Sequence, residues 1–413
     1  MNAAQGGKRV VVTGMGGISA LGDDWPTIRA AMQAGRTAIQ RMPSLDYYTD
    51  LNTRLGAPIE HFQIPEHYPR KMVRGMGRVS LLAVRATELA LQQASLLDDP
   101  LLRAGRVGIA YGSSAGSVEP VRVFGRMLET GSMQGVTSTS YVQMMGHTCA
   151  VNVGLFFGLR GRVIPTSSAC TSGSQGIGYA FESIRSGAQT VMIAGGAEEF
   201  SAPGVAVFDT LFATSSKNDT PQATPRPFDR DRDGLVIGEG ACTLILEERE
   251  HALARGATVY AEVLGFGTNS DGAHITQPEA ETMAVAMQLA LDDAQISADQ
   301  IDWVNAHGTS TDRGDAAESH ATRATFGRAV PITSLKSYFG HTLGACGALE
   351  AWLGIEMMRD GWVAPTANLQ NVAPDCADLD YIMGAGREMP TRIFMNNNFA
   401  FGGINTSILF SRP

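Results

Sequence analysis

Ile164-Pro165-Thr166-Ser167-Ser168-Ala169-Cys170-Thr171-Ser172-Gly173-Ser174-Gln175-Gly176-Ile177-Gly178-Tyr179-Ala180 passes from the end of an apolar strand, through a turn of small hydroxylic residues, into a helix rich in glycine and alanine. The pattern comes twice, because Ile332 to Gly361 repeats it: a strand, a turn carrying Lys336 and His341, and a second Ala/Gly-rich helix. Further out, Arg9-Val10-Val11-Val12-Thr13-Gly14 is a β-branched strand closed by glycine, and Leu81 to Leu96 has the apolar spacing of an amphipathic helix. Val107-Gly108-Ile109-Ala110-Tyr111 then runs as a strand into Gly112-Ser113-Ser114-Ala115-Gly116. That order recurs where Ala284, Met287, Leu291 and Ile296 share related helix faces ahead of a strand at Ile301-Asp302-Trp303-Val304-Asn305. Two copies of one order in one chain imply an α/β fold of two duplicated halves about a pseudo-twofold core, with the active site between them. The halves divide as residues 1–260, with Cys170, and 261–413, with His307 and His341.

Bulk properties narrow the function. The 413 residues include 47 glycines and are 44% hydrophobic, which suits one large, tightly packed unit with a sizeable core. A formal charge of -9 argues against nucleic acid, and no basic run interleaved with aromatics opposes that reading. Five cysteines at irregular spacing (Cys149, Cys170, Cys242, Cys346, Cys376) form neither a disulfide framework nor a CxxC metal pattern, so reduced thiols in the cytoplasm are expected. Met1 to Gly7 is short and polar, and Val10-Val11-Val12 is too brief for a signal or membrane segment; a soluble, unprocessed chain without membrane insertion is expected. Asn218 to Gly234 carries Pro221, Pro225 and Pro227 among charges of alternating sign, and it reads as a surface excursion whose charges are mostly solvated.

Three glycine-rich turns carry the chemistry: Ser168-Ala169-Cys170-Thr171-Ser172-Gly173, Asn305-Ala306-His307-Gly308-Thr309-Ser310-Thr311 and Phe339-Gly340-His341-Thr342-Leu343-Gly344. Singly, each fits close backbone packing as well as catalysis. A thiol at a helix start feels unpaired N–H groups and the positive dipole end, which favour thiolate. A histidine on a turn after an apolar strand is exposed to a cleft. Zinc is disfavoured, since close ligand pairs are missing. Asp315 and Glu318 are either solvated or share one helical face. Phe399 and Phe401, beside Gly402-Gly403, are either core or line a ligand site that the glycine turn lets backbone N–H groups approach.

Taken together, in this order, the three motifs resemble those of the elongating β-ketoacyl-acyl-carrier-protein synthases, Cys-His-His condensing enzymes of the thiolase superfamily, over Val10 to Phe410. The resemblance implies a thiolase-like, five-layered αβαβα fold and a homodimer, or a heterodimer with a related subunit. It implies that Cys170 is the nucleophile and that His307 and His341 donate to the malonyl thioester carbonyl. Lys336 is placed in the active site, paired with Glu318, and Phe401 is the gate whose N–H joins that of Cys170 in the oxyanion hole. Thr309 and Thr311 match the hydroxyls that hold phosphopantetheine; Asp271, His274 and Thr276 match a loop that moves with the gate. Ala115 either packs a turn or lines the acyl pocket. The basic run Arg70, Lys71, Arg74 and Arg78 is either a solvated face or, at Arg70 and Lys71, the docking segment for acyl-carrier protein. No dissociable cofactor and no metal are expected, the substrates arriving on carrier-protein phosphopantetheine. The implied reaction adds two carbons by decarboxylative Claisen condensation, in fatty-acid or polyene/polyketide-type synthesis.

Rival readings fare less well. A thiolase-type acyltransferase needs a second cysteine where Phe401 stands, chain-initiating synthases have asparagine in place of His341, and the non-catalytic chain-length partner lacks Cys170. Tyr338-Phe339 before Gly340, and Phe399-Ala400-Phe401 in the gate, depart from the housekeeping pattern and make room for a specialised pathway such as aryl polyene synthesis.

Overall fold

The computed structural model describes residues 7–413; the reading of Met1 to Gly7 as unprocessed falls, Gly7 aside, outside them. The first half supplies strands β1 (Val10–Ser19), β2 (Val107–Gly112), β3 (Val163–Pro165), β4 (Val191–Glu198) and β5 (Gly240–Glu248). The second supplies β6 (Ala261–Ser270), β7 (Trp303–Asn305), β8 (Pro331–Thr333), β9 (Asp380–Tyr381), β10 (Ile393–Ala400) and β11 (Ile404–Ser411). They pair in the order β9-β8-β7-β10-β11-β6-β1-β5-β4-β2-β3. Outward from the β6/β1 junction both halves read alike, two antiparallel pairings followed by parallel ones. The junction itself is narrow, with Val10, Val11 and Val12 opposite Val263, Glu262 and Ala261.

Helices α1 (Arg78–Gln93) and α2 (Thr148–Phe157) pack on the first half's strands, and α4 (Ala280–Ala294), flanked by α5 (Asp312–Phe326), on the second's. Between the halves lie α3 (Ser172–Arg185) and α6 (Cys346–Asp360), which touch strands on either side and each other, so five layers alternate, as the family resemblance implies. Their closeness depends on missing side chains. A Cβ on Gly173 would stand 3.0 Å from Ala348 N, and one on Gly347 2.8 Å from Ser174 Cβ. Strand–helix contact repeats in the same way: a Cβ on Gly14 would stand 2.8 Å from Ala94 Cβ, and one on Gly265 2.9 Å from Ala294 Cβ. Even the strand irregularity recurs, since pairing slips at Thr13, just before Gly14, and at Leu264, just before Gly265.

Two expectations need correction. The helix expected over Leu81 to Leu96 is Arg78–Gln93, and Ile296 lies beyond the end of α4, past the left-handed Gln295 (φ 56°). More consequential, Asn218 to Gly234 is not a solvated excursion. Asp229 is buried and accepts from Gln370 N (2.8 Å) and Asn371 N (2.9 Å), while buried Arg232 donates to Asp375 (2.7 Å) and to the Asp312 carbonyl (2.9 Å). Charges three apart on this segment face inward, where chain-internal partners replace water. All five cysteines are free. Among the described residues, no helix is long and apolar enough to cross a membrane.

Candidate active site

Cys170 sits in the one-turn helix Ala169–Thr171 that leads into α3, with Ala169 in left-handed backbone (φ 50°). For a non-glycine residue this costs about 1 kcal/mol. Hydroxyls hold the turn in place: Ser172 Oγ donates to Ala169 O (2.7 Å), Thr171 Oγ1 to Ser168 O (2.8 Å) and Thr166 Oγ1 to Ser172 O (2.8 Å). The run of Ser and Thr around Cys170 is therefore structural. It fixes the thiol rather than reacting.

His341 enters from the other half after Gly340 (φ 70°), and its N–H donates to Val236 O (2.7 Å). Leu343 N–H donates to His341 Nδ1 (3.2 Å), so the proton of a neutral ring lies on Nε2, which stands 3.0 Å from Cys170 Sγ. His307 follows β7, with Asn398 Nδ2 3.5 Å from its Nδ1, an arrangement that leaves Nε2 as its donor too. The two imidazoles meet edge-on, centroids 5.2 Å apart at 86°. Burial, then the charge of Lys336, holds both well below the ordinary histidine pKa, so they are neutral donors.

Lys336 is buried, and its partner is Glu350 on α6, not Glu318. Glu350 also accepts from Asn398 Nδ2 (2.7 Å), which links the ammonium to the amide beside His307. Burial opposes the charge on Lys336, but Glu350, joined by Cys346 and Glu318, offsets it and holds the lysine above its ordinary pKa, an ammonium. Glu318 is occupied elsewhere: its two oxygens accept from His307 N and Gly308 N, both at 2.7 Å, and burial pushes its carboxyl up to about 8. It holds the turn that carries His307. Asp315, likewise buried on α5, accepts from Phe228 N (2.7 Å) and Ser310 N (3.0 Å), which settles the Asp315/Glu318 pair as inward-facing.

The resting thiol departs from expectation. Burial pushes Cys170 up to about 11, with Lys336 and the N–H groups of Phe401 and Cys170 pulling the other way. A turn stands between Cys170 and the start of α3, and desolvation outweighs the helix end. The downward pull of those two N–H groups nonetheless puts them where a negative charge at Cys170 is met.

A cavity of about 490 Å³ runs from exposed Phe212 to buried Cys170. Among its walls are His307, His341, Glu318, Thr309, Thr311, Asp271, Thr276, Phe399 and Phe401. Thr309 and Thr311 hydroxyls lie 2.9 Å apart. The loop bearing Asp271 is tied to the turn bearing Phe401, with Asp271 N donating to Gly403 O (2.8 Å), Gly402 N to Ile275 O (2.9 Å) and Asn405 Nδ2 to Asp271 (2.6 Å). Ala115 is not in this wall; it is exposed on the loop after β2. Arg70, Lys71 and Arg74 are exposed on and just after the short helix Arg70–Val73, outside the cavity. Arg78 leaves that group, its Nη2 donating to buried Glu239 (2.9 Å).

Sequence reasoning missed three residues here. Phe208 packs against both Phe401 (centroids 4.9 Å) and His341 (6.3 Å), and Glu350 and Asn398 complete the Lys336 chain. The available signal for Glu350 was an acid in the apolar first half of α6, between Leu349 and Ala351. Cys170, His307 and His341 also bring one ligand atom each within 4.8 Å of one another, a proximity that sequence spacing does not reveal. Protonated Nε2 atoms and the adjacent ammonium suit that triad to an anionic oxygen, not a cation.

Residues 7–252 match the family described as beta-ketoacyl synthase, N-terminal domain, and residues 260–370 its C-terminal domain. The 3-oxoacyl-[acyl-carrier-protein] synthase 2 of Vibrio cholerae is 38% identical over 98% of this chain and 99% of its own. A crystal structure of a beta-ketoacyl synthase from Burkholderia phymatum superposes with a TM-score of 0.97 at 65% identity, over 98% of this chain and 100% of that one. A type II polyketide ketosynthase solved with its acyl-carrier protein, AntDE:AntF, gives 0.88 at 30% identity, covering 98% and 100%. Full-length likeness at these identities, joined to a thiol and two neutral imidazoles at one cavity floor, shows that the chain belongs to the β-ketoacyl synthase family, transferases that condense acyl units into 3-oxoacyl thioesters.

Proposed function

We propose that Cys170 is the nucleophile of a ping-pong condensation in which His307 and His341 stabilise the enolate. The observation that carries this reading is the Nε2 of His341, fixed as a donor by Leu343 N–H and aimed at Cys170 Sγ from 3.0 Å. Cys170 sulfur attacks the acyl thioester; the tetrahedral oxyanion meets the N–H groups of Cys170 and Phe401, and the carrier's thiol leaves with the proton. Malonyl thioester then enters and its C–C bond to the carboxylate breaks. The electron pair passes to an enolate oxygen held by the two Nε2–H groups, and CO2 departs. The enolate carbon attacks the Cys170 thioester, Cys170 thiolate is expelled and reprotonated, and a 3-oxoacyl chain two carbons longer remains on the carrier. Lys336, held by Glu350, biases both histidines neutral and eases formation of the thiolate. The chemistry calls on no metal or dissociable cofactor beyond the carrier's phosphopantetheine.

In this reading residues 1–260 and 261–413 are the nucleophile-bearing and histidine-bearing halves. Acyl-carrier protein is the partner, with Arg70, Lys71 and Arg74, exposed and, among the described residues, in no ion pair, offering charge to an acidic carrier. Phe399 and Phe401 gate the acyl chain, with Asp271 and Thr276 on the coupled loop, and Thr309 and Thr311 hold the pantetheine. The exposed edge strand β3, with Val163 and nearby Leu155 uncovered, supports a dimer, with a second copy or with a related subunit. Tyr338 and Phe339, both buried in the turn before His341, and Ala400 in the gate support a specialised acyl series alongside fatty-acyl chains; profiling saturated, unsaturated and aryl-primed carriers separates the two.

The reading is tested with Cys170→Gln. Condensation falls at least about 10³-fold while CO2 release from malonyl-carrier protein persists, because the enolate donors remain. Wild-type 3-oxoacyl formation by this variant sinks the assignment.

A further inference from the structure

Glu198, the last residue of β4, is buried, and no step of the condensation uses it. Among the described residues it forms no ion pair, so its carboxyl is costly to bury for a side chain that only fills space. Its contacts go to backbone instead. One oxygen, Oε2, accepts from both Ser114 N (2.7 Å) and Gly344 N (3.0 Å). On one side, Gly344 follows Leu343, whose N–H donates to His341 Nδ1 (3.2 Å) and so leaves Nε2 as the donor. On the other, Ser114 follows Ser113, whose carbonyl accepts from Ser167 Oγ (3.0 Å) just ahead of the Cys170 turn. Glu199 extends the grip by accepting from Val118 N (2.8 Å), so consecutive acids hold both ends of the loop 114–118. Space for adjustment is small, since a Cβ on Gly196 would stand 2.2 Å from Gly344 O.

We propose that Glu198 is a positioning residue for the condensation, tying the turn that orients His341 to the loop that braces the Cys170 turn. The inference rests on the reading in which these two side chains act together. The thiol comes from one half and the imidazole from the other, and their 3.0 Å separation depends on how the two turns sit against each other. A single oxygen shared by two N–H groups fixes that relation more tightly than apolar packing, because hydrogen bonds have a preferred distance and direction. The charge leaves a second mark. Burial pushes Glu198 up to about 7, and once ionised it acts against a thiolate at Cys170, as it does at Cys149 on α2; Glu199 is the other acid that faces it.

The test separates reach from charge. Glu198→Asp keeps the charge but is too short to serve both N–H groups, whereas Glu198→Gln keeps a bridging oxygen and loses the charge. In Glu198→Asp, kcat for CO2 release from malonyl-carrier protein falls about tenfold with KM unchanged; in Glu198→Gln it stays within about threefold of wild type. Alkylation of Cys170 by iodoacetamide reads the charge. Glu198→Gln reacts at least about twofold faster than wild type at about pH 8, and the two rates converge at about pH 6, where the wild-type carboxyl is itself neutral. Full CO2 release by Glu198→Asp, or a loss in Glu198→Gln equal to that in Glu198→Asp, overturns the positioning role. An alkylation ratio that does not change with pH overturns the link to Cys170. If wild type releases no CO2, the functional reading has failed, and the alkylation ratio, which needs no substrate, still decides that link.

Discussion

The turn Ala169–Thr171 ahead of α3 and the turn Leu343–Ala345 ahead of α6 are counterparts in the internal repeat, opening on left-handed Ala169 (φ 50°) and Leu343 (φ 46°) and running straight into their helices. One presents a thiol. The other has Gly344 at the matching position, where a Cβ would stand 2.8 Å from both a Glu198 oxygen and Ser114 N. Glu198, buried, accepts from Ser114 N (2.7 Å) and Gly344 N (3.0 Å) and fills the space that Cys170 leaves open in its own half. The same backbone device thus serves two ends, a nucleophile in one half and a rigid support for His341 in the other. Duplication conserved the geometry of the turns, and local filling of space decided which could carry a reactive side chain.

The sharpest break in that comparison concerns the half with the histidines. In His307→Ala or His341→Ala, CO2 release from malonyl-carrier protein drops about 10²–10³-fold, the effect of losing one aimed donor. A loss confined to acyl transfer onto Cys170 would move that histidine to the nucleophile's side. Next come the glycines that repeat between halves. Gly14→Ala and Gly265→Ala each destabilise by about 1–3 kcal/mol in urea titration, since each new methyl meets a helix already in contact. Very unequal costs would show that the two strand–helix contacts are alike only in outline. Smallest is a contrast of thiols. With Cys170 at about 11, its thiolate fraction and its alkylation by iodoacetamide rise about tenfold per pH unit from pH 7 to 9, without a plateau. Cys346, raised well above an ordinary thiol by burial and donating to Cys170 O (3.2 Å), stays unmodified in the folded enzyme. A plateau near pH 8 would show that the protein stabilises the thiolate far more than burial opposes it.

What was legible in the sequence follows the same division. Cys170, His307 and His341 were readable because each lies on a glycine-rich turn after an apolar strand, a local pattern. The repeat was readable because one order, a strand, a turn of small residues and a helix rich in glycine and alanine, comes twice along the chain. The partner of Lys336 was not. Glu318 and Glu350 are both acids on helices of the second half, and only packing shows that two backbone N–H groups already occupy Glu318. The charges of Arg226, Asp229 and Arg232 alternate along the chain like a solvated face, yet the bonds from Gln370, Asn371 and to Asp375 come from residues more than a hundred positions away. Phe212 was equally illegible, because nothing local marks an aromatic that the fold leaves uncovered.

The contact between α3 and α6 has a consequence for how the chain is made. Residues 172–185 leave the ribosome long before residues 346–360, the helix that covers them. Until then the glycine-lined side of α3 lacks the surface it was shaped to meet, and Cys170 sits in a half that cannot close around it. Neither half is a self-sufficient folding unit, so the polypeptide commits to its native state only after synthesis is nearly complete. A ribosome that stalls between the two helices releases an aggregation-prone fragment, not a smaller enzyme.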